Sequence, residues 1–290
     1  MKTLDERLEY AAEGETLQDF CLWEYEPVAP PGGKFRSVNL LFRSFEVAGV
    51  GEECFDLVPL LRQAIGVSKT VFGVKWIGGE LRWELYFYDY RRRERTRSIT
   101  RVAEALRPRV RCDVPVNERL PYFMFSLDVG PSLLTGTASL DEIHMYVGTP
   151  GSTVSGGICY SLTKRGTALE NFYFFFDARS QLAEIKDKAG CSAYMDATRV
   201  PIEEILWPEL QKCRVIVVAN KKRNDAVYFV GIDVDQFLFF LRRLAYPEAI
   251  VSFVERNRPS LSHMLYDVGI DYRMEGGRLV FLKSAYYGVF

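Results

Sequence analysis

Apolar and polar positions alternate along residues 80–90. Leu81, Trp83, Leu85 and Phe87 fall on one side, and Arg82, Glu84, Tyr86, Tyr88 and Tyr90 on the other. A period of two marks a strand whose side chains point in turn to opposite faces. Residues 142–147 repeat it, with Ile143, Met145 and Val147 against Glu142, His144 and Tyr146. So do residues 171–176, with Phe172, Phe174 and Phe176 against Asn171, Tyr173 and Phe175. Further extended segments are expected over 38–46, 70–76, 122–129, 157–163, 214–220, 226–231, 264–273 and 278–290. Helices are expected over 4–13, 53–65, 98–106, 180–189, 202–212 and 233–257, the last interrupted at Pro247, which has no amide hydrogen to donate. Gly78-Gly79 and Glu275-Gly276-Gly277 mark hairpin turns, and residues 27–33 (PVAPPGG) form a loop.

Strand, strand, helix therefore recurs about four times without exact sequence repeats. Strands joined by short turns are antiparallel. An open sheet of this length would leave two raw edges, whereas a closed one leaves none. The expected class is α+β: a closed antiparallel barrel of about ten strands with helices outside. It would form one unit over residues 1–290, with residues 1–33 as an N-terminal helix and loop extension. The competing architecture is a sheet with helices on one side and water on the other.

Hydrophobic residues at 48% and charged residues at 26% exclude global disorder. Lys+Arg 37 against Asp+Glu 38 gives a net charge of −1, which disfavours a sequence-independent nucleic-acid binder. The 16 tyrosines matter more, since a ring with a hydroxyl suits the lining of a polar-aromatic cavity. Residues 1–7 lack an apolar core, so no signal peptide is expected, and no apolar run is long enough to span a membrane. Six scattered cysteines without a C-x-x-C pair read as reduced, mostly buried thiols of a cytoplasmic protein. Two histidines, His144 and His263, exclude a His-rich metal site.

The common nucleotide and hydrolase motifs are absent, and Gly148-Thr149-Pro150-Gly151-Ser152 reads as a plain loop. The arginine-rich stretch 91–111 reads either as a solvated basic face or as a site for an acidic partner or RNA. The tyrosine-rich strand faces are more informative. Glu84, between Arg82 and Tyr86, is either half of a structural ion pair or a general base whose confinement sets its pKa. His144 with Tyr146, Asn171 with Tyr173, and Lys283 with Tyr287 repeat a polar–aromatic pattern on successive strands. Cations and phenols converging from several strands can hold a polyanion.

These segments resemble the soluble aromatic prenyltransferases of the ABBA (PT-barrel) fold, over about residues 70–290. Trp83-Glu84-Leu85-Tyr86-Phe87 resembles the strand bearing that family's acidic residue. Met124-Phe125-Ser126-Leu127-Asp128 with His144-Met145-Tyr146 resembles its M-F-x-x-D strand and K-x-Y partner. Glu170-Asn171-Phe172-Tyr173-Phe174 resembles the N-x-Y-F strand, and Lys283-Ser284-Ala285-Tyr286-Tyr287 the closing strand. The resemblance implies a ten-stranded barrel with a solvent-filled lumen, in which an allylic diphosphate ionises and an electron-rich acceptor attacks. It implies Glu84 as base and Lys75, His144, Lys164, Asn171, Arg214 and Lys283 as diphosphate ligands. Tyr146, Tyr173 and Tyr287 would shield the carbocation.

An isoprenyl diphosphate such as dimethylallyl diphosphate would be the co-substrate, with no prosthetic group. Mg²⁺ is optional, because no D-D-x-x-D motif is present. Two departures bear on anion capture: His144 stands where K-x-Y has lysine, and Asn224-Asp225 stands where a basic residue is expected. The blunt end at Phe290 and the look of residues 261–269 are similar to the cyanobactin-type peptide-modifying members. This favours a peptide acceptor over a small aromatic one, with no nucleic-acid or membrane partner. The oligomeric state is left open. A noncatalytic barrel or sheet with a basic partner-binding face is the reading from a different class. The two diverge on whether Lys75, Lys164, Arg214 and Lys283 point into one cavity.

Overall fold

The computed structural model describes residues 3–22, 24–89, 95–148 and 156–290. Its strands are β1 (Val71–Ile77), β2 (Glu80–Tyr88), β3 (Arg111–Cys112), β4 (Met124–Val129), β5 (Ser139–Leu140), β6 (Glu142–Gly148), β7 (Gly156–Thr163), β8 (Gly166–Asp177), β9 (Val215–Lys221), β10 (Asp225–Ile232), β11 (Tyr266–Glu275) and β12 (Arg278–Val289). The helices are α1 (Val38–Ala48), α2 (Glu52–Phe55), α3 (Leu57–Ile65), α4 (Ile99–Leu106), α5 (Pro131–Leu134), α6 (Leu182–Gly190), α7 (Val234–Arg243), α8 (Glu248–Arg256) and α9 (Arg258–Leu261).

Ten strands close into a barrel in the order β1-β12-β11-β10-β9-β8-β7-β6-β4-β2, and every neighbouring pair is antiparallel. β3 and β5 form a separate parallel pair. The closing seam joins β1 to β12, from Val71 opposite Val289 to Trp76 opposite Ser284. With no free edge, each strand's ladder groups find partners inside the wall.

The alternation sorts side chains into two compartments. Trp83, Leu85 and Phe87 of β2, Phe125 and Leu127 of β4, and Ile143 and Met145 of β6 join the continuous core between wall and helices. Trp83 also donates its indole N–H to Ser44 Oγ of α1 at 2.8 Å. On the inner side a second cluster forms from Met124, Tyr146 and Cys159, with Tyr86, Tyr88, Phe123 and Tyr173 against it.

Three expectations are corrected. Residues 38–46 are helix α1, not extended: Val38, Leu41, Phe42 and Phe45 are spaced i, i+3, i+4, i+7 and all are buried. Residues 4–13 hold only a 3-10 turn at Asp5–Arg7. Their backbone partners come from farther along the chain, with Ala11 N–H on Lys34 O at 2.8 Å and Arg36 N–H on Glu9 O at 3.0 Å. Residues 202–212 form two 3-10 turns, Ile202–Glu204 and Pro208–Leu210, because Pro208 cannot donate and disfavours helical geometry at Trp207 before it. Tyr90, Arg91, Arg92, Arg93 and the loop residues Thr149 to Ser152 lie outside the described residues.

Asp233 caps α7, accepting from the amides of Asp235 and Gln236 at 2.9 Å each, while Gln236 Oε1 accepts from the Asp233 amide at 3.0 Å. Asp233→Ala is expected to lower the unfolding free energy by about 1 kcal/mol and Asp233→Asn by much less, read by urea denaturation. Equal losses from the two substitutions would deny the cap its role.

Candidate functional site

The inward positions of consecutive strands build a lumen with three levels. At mid-height Tyr86, Tyr146, Tyr173, Tyr228 and Tyr287 form a closed ring. Neighbouring ring centroids are 6.5, 5.9, 6.2, 6.4 and 5.8 Å apart around the circuit. Two glycines make room for it. A Cβ on Gly73 would lie 2.9 Å from the Tyr287 ring, and one on Gly269 would lie 2.3 Å from the Tyr228 ring. Burial raises all five phenols well above their ordinary pKa, so they stay neutral and present electron-rich faces.

The level toward the Gly78-Gly79 and Gly276-Gly277 turns is charged. Lys75 Nζ lies 2.6 Å from Glu84 Oε2 and 2.5 Å from Asp128 Oδ1. Ser126 Oγ donates to Glu84 Oε1 at 2.5 Å and lies 3.3 Å from the Tyr146 hydroxyl. Lys221 Nζ donates to Asp271 at 2.8 Å and to the Tyr228 hydroxyl at 2.9 Å. Lys283 Nζ is 3.4 Å from the same Asp271 carboxylate, which also accepts from Asn224 at 3.0 Å.

Burial by itself would raise the Glu84 carboxyl. The Lys75 ammonium, with His144 and Lys283 behind it, outweighs burial and holds Glu84 well below the usual carboxylate range. Asp271 is likewise lowered, because Lys221 and Lys283 outweigh its burial. Lys283 moves the other way for a cation. Burial, with Lys221 and Lys75 nearby, pulls its pKa down despite Asp271. A lysine so placed gains from any added negative charge.

Toward the opposite mouth the lumen turns apolar. A cavity of about 350 Å³ is lined by Val71, Tyr88, Met124, Phe175, Val217 and Val230, with Cys21 and Leu22 of the N-terminal segment across it. That segment is pinned by Tyr25, whose hydroxyl donates to Asp19 O at 2.6 Å and accepts from the Leu265 amide at 3.1 Å. One carboxylate, Asp267, sits in this apolar level, its Oδ1 accepting from the Gly231 amide at 3.0 Å. Burial pushes it up to about 6, against the pull of the Gly231 and Leu22 amides.

Of the residues expected from sequence, Glu84, Lys75, Lys283, Tyr146, Tyr173 and Tyr287 converge on this lumen. His144 pairs with Ser126 across β4 and β6 and lies 3.8 Å from Glu142. Asn171 donates to the Tyr173 hydroxyl at 3.0 Å. Lys164 and Arg214 are not brought to the lysine level. Lys164 is exposed at the β7–β8 turn and pairs with Asp113 at 3.1 Å. Arg214 begins at the far end of β9, where it donates to Glu24 O at 3.3 Å and lies over the Tyr25 ring.

The sequence pattern does not single out Lys221, Tyr228, Ser126, Asp271 and Asp267, and it sets Tyr86 on the tyrosine-rich face without a role. Lys221 had a signal: it continues the inward phase of Val217 and Ala219 just before a turn. It supplies, from β9, a cation near where Asn224-Asp225 left one wanting. Among the described arginines of 91–111, Arg95, Arg97, Arg101 and Arg109 bond within the chain, whereas Arg107 and Arg111 are exposed, 3.9 and 3.4 Å from Glu104 and Asp113. Arg95 donates to Tyr122 O at 3.0 Å and stacks on its ring, Arg101 donates to Ala64 O, and Arg109 pairs with Asp56 at 2.8 Å.

Among the described residues no group of His, Cys, Asp and Glu is arranged to hold a metal ion, and no helix is long and apolar enough to cross a membrane. The Lys75 ammonium already fills the space between the Glu84 and Asp128 carboxylates, so that pair does not fit Mg²⁺. The six cysteines are unpaired; Cys54, Cys159 and Cys213 are buried, whereas Cys191 is exposed.

No protein-family model matches the chain, and no curated protein matches it in sequence. In three dimensions it is similar to the crystal structure of PriB in binary complex with product diphosphate. The TM-score is 0.50 at 10% identity, over 86% of this chain and 94% of that one. The likeness is one of fold: a closed ten-stranded antiparallel barrel with helices outside, the ABBA or PT barrel.

The lumen carboxylates pull stability in opposite directions with pH. Glu84 and Asp271 are lowered on folding, so their contribution is full above the unfolded carboxylate range and is lost as pH falls. Asp267 is raised to about 6, so its contribution is full below the unfolded value and is lost as pH rises through about 6. Asp267→Asn is therefore expected to be more stable than wild type near pH 8 and no more stable near pH 3. Denaturant titrations at the two pH values read the difference, and an identical difference at both would contradict it.

Proposed function

We propose that the barrel is a prenyltransferase, moving an isoprenyl group from an allylic diphosphate to an electron-rich acceptor held in the lumen. The observation that carries this reading is the tyrosine ring set against a level of three lysines within one closed barrel. The diphosphate-bound PriB structure, similar in fold, fits an isoprenyl diphosphate co-substrate.

Lys75, Lys221 and Lys283 would hold the diphosphate, with Asn171 and His144 at the margin of the same level. Each ammonium gives up part of a carboxylate contact for phosphate oxygens, and Lys283, the cation with a lowered pKa, gains most. The allylic C–O bond breaks and its electron pair leaves with the diphosphate. Tyr146, Tyr173 and Tyr287, joined by Tyr86 and Tyr228, turn their faces to the carbocation and keep water from it. The acceptor's π electrons form the new bond to the allylic carbon, and the proton released from the attacked carbon passes to Glu84.

Glu84 is a poor base while Lys75 lies 2.6 Å away. Drawing Lys75 toward a diphosphate removes that contact and raises the proton affinity of the carboxylate. Donor binding thus prepares the base for the step that follows ionisation.

A cavity of about 350 Å³ is near the lower end of small-molecule sites, roughly 300–1,000 Å³. With Cys21 and Leu22 across the apolar mouth, this favours a small aromatic acceptor, or one aromatic side chain of a peptide, over a folded peptide segment. The second reading, a noncatalytic barrel that binds an organic ligand, draws on the carboxylate partner each lumen lysine already has.

Incubation with dimethylallyl and geranyl diphosphate and a panel of tyrosine, tryptophan and arginine peptides and small phenols, read by mass shift, separates the two. Glu84→Gln is expected to abolish alkylation while the far-ultraviolet circular dichroism stays that of wild type; wild-type turnover would remove Glu84 as base. Lys283→Ala is expected to raise the diphosphate concentration for half-saturation about tenfold or more, as loss of one charge-assisted contact does. An unchanged value would remove Lys283 from the site.

A further inference from the structure

We propose that Asp267 is the anchor for a protonated amine on an aromatic ligand, making the apolar end of the lumen a subsite for arylalkylamines. The proposal deepens the preceding reading by naming the acceptor class and rests on it for that role. Binding of the amine itself requires no transfer chemistry.

Two carboxylate environments stand at opposite ends of one lumen. At the charged end Glu84 and Asp128 share Lys75, and Asp271 has Lys221 and Lys283. Asp267 has no ion-pair partner among the described residues; its polar partners are the backbone amides of Gly231 and Leu22. It nonetheless lines the cavity, among Leu22, Val71, Phe175, Val217 and Val230. A carboxylate in an apolar wall is costly unless a charged or hydrogen-bonding partner meets it. The β10 irregularity between Val230 and Ile232 aims the Gly231 amide at Oδ1, so the carboxylate is held in place.

The occupant is specified from three sides. The carboxylate asks for a cation or N–H donor. The apolar lining asks for a hydrocarbon body. The adjacent ring of neutral tyrosines, with Tyr287 directly opposite Asp267 across β11 and β12, favours a cation and an aromatic plane. The volume of about 350 Å³ suits a monocyclic or bicyclic arylalkylamine. Bound there, the ammonium lies at the end of the lumen away from Glu84, and the electron-rich ring falls toward the tyrosines.

The test is calorimetric titration of the full chain with tyramine and with 4-ethylphenol, which keeps the ring and loses the ammonium. At neutral pH, tyramine is expected to bind about tenfold or more tighter, the range of one charge-assisted hydrogen bond. In Asp267→Asn this preference should vanish while 4-ethylphenol binds as before. Equal binding of the two phenols by wild type, or an undiminished preference in Asp267→Asn, would overturn the assignment.

A pH series on wild type serves if the variant fails to fold. The groups that sense the Asp267 charge are Cys21 and Tyr25 of the N-terminal segment and Cys213 at the head of β9, with Tyr287 opposite it on β12 and the Arg214 side chain beside Gly231. Burial raises the pKa of Cys21, Tyr25, Tyr287 and Cys213, so none of these four ionises near neutrality. Burial also raises Asp19, which accepts the Ser37 amide at 3.0 Å and lies 3.9 Å from Arg36 rather than facing the cavity. The tyramine preference should therefore fall as pH drops below about 6, and a preference constant across that range would also overturn the proposal. Tyramine that binds as described yet is never prenylated would count against the transferase reading and leave the subsite standing.

Discussion

Closure of the sheet through the β1–β12 seam is the constraint on which everything else rests. Once β12 pairs with β1, each strand separates two environments that never mix. Outward positions meet helices and pack densely, as Trp83, Leu85 and Phe87 do. Inward positions meet one another and, at the apolar mouth, Cys21 and Leu22 of the N-terminal segment. Five tyrosines reach inward and touch ring to ring, tilted at four contacts and edge to face between Tyr86 and Tyr287, leaving a hollow rather than a packed centre.

The hollow is polarised along its axis. Ammonium and carboxylate groups gather at the end carrying the glycine turns, where Asp128 is exposed and water can help solvate them. Apolar groups gather at the end crossed by Cys21 and Leu22. The tyrosines lie between, with hydroxyls for the polar side and rings for the apolar side. Such a gradient orients any ligand that has a charged head and a hydrocarbon body. The ion pairs that make the charged end stable also hold Glu84 as a weak base, so stability and chemistry compete for the same lysine.

The strand faces were legible because alternation is local: Arg82, Glu84, Tyr86 and Tyr88 declare a common side without any knowledge of what faces them. Glu84, Lys283, Tyr146, Tyr173 and Tyr287 were reached in that way. Segments 4–13 and 38–46 depart from their local pattern for opposite reasons. In the first, backbone partners come from residues 33–36 and Asn39, and local pattern does not record them. In the second, a dense apolar run satisfies strand and helix templates alike, and contact with β1, β2 and β12 selects the helix. Lys164 and Arg214 were the right residue type at the wrong height, one exposed on a turn and the other spent on the N-terminal segment.

The order of apolar and polar residues by itself determined that hairpins would form, which side of each was tyrosine-rich, and hence that a wall with two unlike faces was wanted. Those are properties of neighbours two to four positions apart. Tertiary structure alone decided the pairing of Lys75 with Glu84 and Asp128, the arrival of Lys221 beside Asp271, and the isolation of Asp267 from every described lysine. These depend on shear and register between strands far apart in the chain. A shift of two residues keeps every side chain on its face while exchanging every charge for another.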